Sequence, residues 1–86
     1  MLIEVLKVKN ECSSFEFAYV DSDKIIAIED YGGNYLATDI PILHIKCISG
    51  YGILIVEYAE DFINRITDKE LSAVSVVQEI KRQLEE

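Results

Sequence analysis

The side chains best suited to chemistry in this 86-residue chain are its one histidine, His44, its two cysteines, Cys12 and Cys47, and a run of carboxylates at Glu57, Glu60 and Asp61. A thiol nucleophile needs a base within hydrogen-bond reach. On the strand-like stretch ILHIKCI, His44 and Cys47 are three residues apart and point to opposite faces, so they do not form that pair. One histidine and two distant cysteines with no C-x-x-C spacing do not close a metal site. The cysteines read as reduced thiols that behave as small apolar residues. The carboxylates sit where a helix begins, and its dipole accounts for them without an acid–base role. No catalytic residue, metal or cofactor is expected.

A softer chemistry is recognition by aromatic rings. The fragment Tyr31-Gly32-Gly33-Asn34-Tyr35 reads as a turn, and it is no phosphate loop, because no lysine follows its glycines and the G-x-G-x-x-G order is missing. Tyr51-Gly52 repeats the pairing of Tyr31 with Gly32. Rings beside such turns project and stack on a base or a partner side chain. If the two turns line one rim, rims from neighbouring subunits form a pocket in which Lys24, Lys46 or backbone amides meet phosphate. Tyr31, Asn34, Tyr35, Tyr51, Lys24, His44 and Lys46 are therefore the candidate ligand- or partner-binding residues. The competing reading has the tyrosines capping the ends of a small barrel.

The elements that position these residues read in two blocks. Leu2 to Lys9 is rich in β-branched and aliphatic residues. Phe15 to Val20 alternates cleanly, with Phe15, Phe17 and Tyr19 on one face. Asp21-Ser22-Asp23 is a turn, and Ile25 to Asp30 is a third strand. Pro41 marks the start or edge of a fourth. In Ile42 to Ile48, Leu43, Ile45 and Cys47 face the core, while Ile42, His44, Lys46 and Ile48 face solvent or an interface. Ile53 to Val56 is apolar at every position, as in a central strand covered on both faces, or one that pairs across a dimer.

The period then changes. Ala59, Phe62, Ile63 and Ile66 fall at helical spacing. Thr67 and Glu70 fit a capping box for a second helix, whose stripe is Leu71, Val74, Val77, Ile80 and Leu84, with Ala73 and Val76 beside it. The chain reads as one α+β domain over residues 1–86: about five strands between 2 and 57, then helices near 58–66 and 68–85. The sheet is curved and antiparallel, or a small open barrel.

Half of the residues are hydrophobic, more than so small a body hides, so some of them are expected to meet a second subunit or a partner. Sixteen acidic residues against eight basic ones give a net charge of −8, which repels phosphate backbones and anionic lipid and argues against direct nucleic-acid or membrane binding. A DNA mimic would also be acidic, but it needs ordered rows of carboxylates, and here they are scattered. The opening MLIEVLKVK lacks the order of a signal sequence, and a cytoplasmic location is expected.

Three segments carry a family resemblance. GILIVEYAEDFINRI, from Gly52 to Ile66, resembles the ending of the small bacterial FlbD-like proteins of flagellar and swarming motility. MLIEVLKV and FAYVDSDKIIAIED are similar to that family's opening, so the likeness spans about residues 1–66. NECSS replaces the family's tight Asn-Gly turn, YGGNYLATDIP looks inserted, and the C-terminal helix is extra. The resemblance implies a small, non-enzymatic regulatory protein.

Two functions follow as expectations. One is a regulatory or inhibitory protein, of the kind a phage or mobile element encodes, that acts on a host protein by contact as a homo-oligomer. The other is an oligomeric sponge that sequesters a small, anionic, nucleotide-like signal at intersubunit pockets.

Overall fold

The computed structural model describes residues 1–85. Five strands come first: β1 (Leu2–Lys9), β2 (Ser14–Asp21), β3 (Ile25–Asn34), β4 (Pro41–Cys47) and β5 (Gly52–Val56). Two helices follow, α1 (Ala59–Asp68) and α2 (Val74–Leu84). The sheet order is β2-β1-β5-β4-β3, every neighbouring pair is antiparallel, and the fold is α+β. The all-apolar ILIV segment is the central strand β5.

One short link sets the curvature. β2 and β3 are the two edges of the sheet, yet only the 3₁₀ turn Ser22–Lys24 joins them. From Asp21 to Ile25 the chain reaches at most about 14 Å, whereas the edges of a flat five-stranded sheet stand about 19 Å apart. The sheet therefore curls until its edges approach, without closing. Inside the curl Val5, Val20, Leu43, Ile45, Cys47, Ile53 and Ile55 meet Phe62, which α1 inserts as a plug together with Ile66. On the outer face Ala73, Val76, Val77 and Ile80 of α2 pack on Leu6, Val8, Phe15, Tyr35, Ile40 and Val56. Ile42, expected on the exposed side of its strand, is buried, because it lies opposite Val56 on this covered part of the outer face. No described helix is long and apolar enough to cross a membrane.

The YGG fragment is not a turn. Asp30 pairs with Leu43 and Asn34 with Pro41, so Tyr31, Gly32 and Gly33 bow out of the ladder opposite Ile42 alone. Gly32 and Gly33 have φ of 93° and 144°, which suit glycine, and Asp30 Oδ1 accepts the Gly32 N–H at 2.9 Å. The chain reverses later, between Tyr35 and Ile40, where the Thr38 hydroxyl donates to the Tyr35 carbonyl and accepts from the Ile40 N–H.

The β1–β2 hairpin tip is strained. Asn10, Glu11 and Cys12 all lie in the left-handed region, with φ of 52°, 56° and 70°. Asparagine tolerates this conformation, but glutamate and cysteine pay roughly 1–2 kcal/mol each. We predict that Glu11→Gly raises stability by about 0.5–1 kcal/mol after the added freedom of the unfolded chain is subtracted. A urea midpoint that is unchanged or lower in this variant would disprove it.

The capping box does not form. α1 runs on through Thr67, whose hydroxyl bonds the Ile63 carbonyl, and ends at Lys69 in the left-handed conformation. α2 begins only at Val74, which leaves residues 70–73 as a link outside both helices.

Candidate interaction surface

Arg65 holds that link. It is buried, and all five of its N–H donors are used. Nε and Nη2 grip Glu57 Oε2 and Oε1 at 2.8 and 2.6 Å. Nη1 reaches the carbonyls of Glu70 and Ser72, and Nη2 also bonds the Glu4 carbonyl at 3.0 Å. The need is topological. β1 pairs with β5 only around Lys7 and Ile55, so at Glu4 the β1 backbone has no strand beside it on that side. Arg65 takes the Glu4 carbonyl, and the Leu71 carbonyl takes the Glu4 N–H at 2.8 Å. Burial pushes the Glu57 carboxyl above its ordinary value, against the pull of Arg65. The sequence pattern puts Glu57 at a helix start, and no local signal marks it or Arg65 as buried.

The same contacts set the rotation of α2. Glu4 Oε1 accepts the Ala73 N–H at 3.1 Å, so the start of the helix is pinned on the outer face of β1. Ala73, Val76 and Ile80 become the inward stripe, and Leu71, Val74 and Leu84 turn out to solvent. Of the stripe inferred from periodicity, Val77 and Ile80 pack inward, while Leu71, Val74 and Leu84 do not.

An apolar patch results. On the outer face of the hairpin, Tyr19 lies opposite Glu4, Phe17 opposite Leu6 and Leu2 opposite Asp21. With Leu71 and Val74 they surround Glu4, and the five are 50–62 % exposed. Loose packing does not explain them. The surface of 5159 Å² matches the roughly 5,200 Å² expected for a compact globule of 9.8 kDa.

The residues singled out from the sequence are dispersed. Tyr35 is only 4 % exposed, and its ring packs at 5.9 Å from Phe15 beneath α2, so it offers no wall to a ligand. Tyr31 and Asn34 are exposed on the far half of β3. Tyr51 is in the β4–β5 turn, where its carbonyl accepts the Cys47 N–H. Since Tyr31 bows out opposite Ile42, the two Tyr-Gly pairs lie at opposite ends of β4, about 16 Å apart. Within one subunit they share no rim.

His44 lies on the outer face beside Gly52, at which a Cβ would come within 2.6 Å of its Nε2. Lys46 is paired with Glu29 at 2.9 Å. Lys24 and Tyr51 do meet, with Tyr19, Asp21 and Cys47, around a shallow depression of about 190 Å³.

A larger groove of about 330 Å³ lies between the helices, but Asp61, Glu70 and Glu79 line it, and its cation, Arg65, is fully engaged. That wall repels anions. Among the described residues no three His, Cys, Asp or Glu side chains are gathered as a metal site requires.

The rim of this groove carries a polar network. Tyr58 donates to Asp39, Gln83 bonds both, and Arg82 Nε donates to Glu79 at 2.8 Å. These bonds tie the Tyr35–Ile40 turn to α2. The Arg82 hydrogen bonds hold Glu79 at a pKa of about 2, against an ordinary 4.5. Tyr58 and Gln83 lower Asp39, and Lys46 lowers Glu29. Carboxylates lowered by folding stabilise above their ordinary values, and that stability is lost as pH falls through the folded ones. Glu57 acts in the opposite sense, since its raised value favours the fold at low pH and loses that contribution as pH rises. The melting temperature is expected to fall between pH 4.5 and 2, with a shallower fall in Glu79→Gln. Identical acid limbs for wild type and variant would contradict this.

No family model matches the chain, and no curated protein or solved structure matches it.

Proposed function

We propose that the protein is a non-enzymatic regulatory or inhibitory binding protein that works by protein–protein contact as a homo-oligomer. The observation that supports this is the patch of Leu2, Phe17, Tyr19, Leu71 and Val74 around Glu4. Aromatic residues are enriched in protein interfaces, and here two of them and three aliphatic residues ring one carboxylate that is held by the Ala73 N–H. In a chain of net charge −8, such a patch is a specific contact rather than general stickiness. The FlbD-like resemblance points to the same class of function, and a phage or mobile-element source and a cytoplasmic setting belong to this reading.

A second reading draws on the depression that brings Lys24, Tyr19 and Tyr51 together beside Asp21, a cation and two rings of the kind a nucleotide-like anion meets. At about 190 Å³ it is below the roughly 300 Å³ of small-molecule pockets, so a neighbouring subunit would have to complete it. Native mass spectrometry of freshly purified protein separates the readings. The contact reading gives integer multiples of 9.8 kDa. A reproducible added mass, lost in Tyr51→Ala, favours the sponge, and a bare monomer overturns both.

A further inference from the structure

β3 ends the sheet, so alternate residues from Ala27 to Asp30 turn their N–H and C=O groups toward the open side. Natural edges are usually blunted by lysine, proline or a bulge. Here a register shift falls at Ile26 and charged residues stand only at Glu29 and Asp30 within Ile25–Asp30, while the stretch Ile25-Ile26-Ala27-Ile28 is apolar. Beside it runs a groove of about 320 Å³ between β3 and α1, lined mainly by Ile25, Ile26, Ile28, Ile63 and Ile66. Ile26 and Ile63 are 63 % and 49 % exposed at its mouth. An unpaired edge next to an apolar groove is the arrangement that receives an added strand, whose backbone pairs with the edge while alternate side chains fill the groove.

The charge around the groove selects the occupant. Glu29 is neutralised by Lys46, but Asp30 on β3 and Asp68, next to the lining residue Thr67, have no ion pair among the described residues. The C-terminal end of α1 adds its partial negative charge there. A second copy paired on this edge would bring its own Asp30 against the first. We infer that the β3 edge and its groove take an extended segment of a partner protein in which apolar residues alternate with lysine or arginine. This rests on the protein-contact reading and names the partner's chemistry.

The test uses the full chain and two short labelled peptides, one alternating valine with lysine, the other valine with glutamate, followed by fluorescence anisotropy. The lysine peptide is expected to bind saturably and the glutamate peptide to fail. The double variant Ile26→Ser/Ile63→Ser, whose altered positions are exposed and whose folding circular dichroism verifies, is expected to bind about tenfold more weakly, or roughly 1.4 kcal/mol. No binding of the lysine peptide, equal binding of both peptides, or full affinity in the double variant overturns the inference. If the double variant instead dissociates the homo-oligomer, the occupant is a second copy and the inference fails. The oligomer is expected to persist in this variant, so loss of the outer-face reading and loss of this one are read separately.

Discussion

Replacing Arg65 by alanine is expected to cost about 3–5 kcal/mol, the usual loss when one partner of a buried ion pair is removed. The Glu57 carboxylate would remain buried without its bidentate donor, and the carbonyls of Glu4, Glu70 and Ser72 would lose their bonds. Domains of this size have only about 5–15 kcal/mol of stability, so the variant is expected to be partly unfolded near 37 °C. Arg65→Lys should recover little, since an ammonium cannot make five fork-directed bonds. Arg65→Met with Glu57→Leu should recover part of the loss, because removing both charges removes the desolvation cost while the carbonyls of Glu4, Glu70 and Ser72 still lack their donor. Urea titrations of the wild type and the three variants measure this. An Arg65→Ala midpoint within error of wild type would show that the residue is peripheral.

The second large effect concerns assembly. Phe17→Asp combined with Tyr19→Asp is expected to raise the dissociation constant of the oligomer by roughly a hundredfold, because two further carboxylates would stand beside Glu4 where two aromatic rings are proposed to meet the partner. The fold should tolerate the change. Both positions face solvent on an edge strand, and the main packing lost is the edge-to-face contact of Phe17 with Phe15 at 6.0 Å, a matter of roughly 1 kcal/mol. The contrast with Arg65 is informative. One set of substitutions breaks the fold, and the other leaves the fold intact and breaks the contact.

How much of this the sequence shows depends on the range of the interactions. Alternation in FEFAYV marks a strand and the unbroken ILIV run marks a buried one; both strands are where the pattern puts them, although Phe17 and Tyr19 stand in solvent. The helical period marks α1 and α2, since it too is local. The rotation of α2 is not local. It is fixed by Glu4, 69 residues earlier, and by Arg65, whose partners run from Glu4 to Ser72. Leu71 and Val74 therefore read as core and stand in solvent.

The tyrosine fragment shows the same limit. Tyr31 and Tyr35 are close in sequence, but one lies in an exposed bulge and the other under a helix from the far end of the chain. The exposed apolar patch is not legible in the sequence because its members are drawn from β1, β2, the interhelical link and α2. The one hint was the excess of apolar residues over what a small domain hides.

Sedimentation equilibrium over a wide range of concentration tests the central claim most directly. The wild-type chain should sediment as a discrete multiple of 9.8 kDa that dissociates on dilution, and the Phe17→Asp/Tyr19→Asp variant as a monomer with an unchanged circular dichroism spectrum. A wild-type chain that stays at 9.8 kDa at the highest concentration, or a variant that assembles as strongly as wild type, would contradict the account.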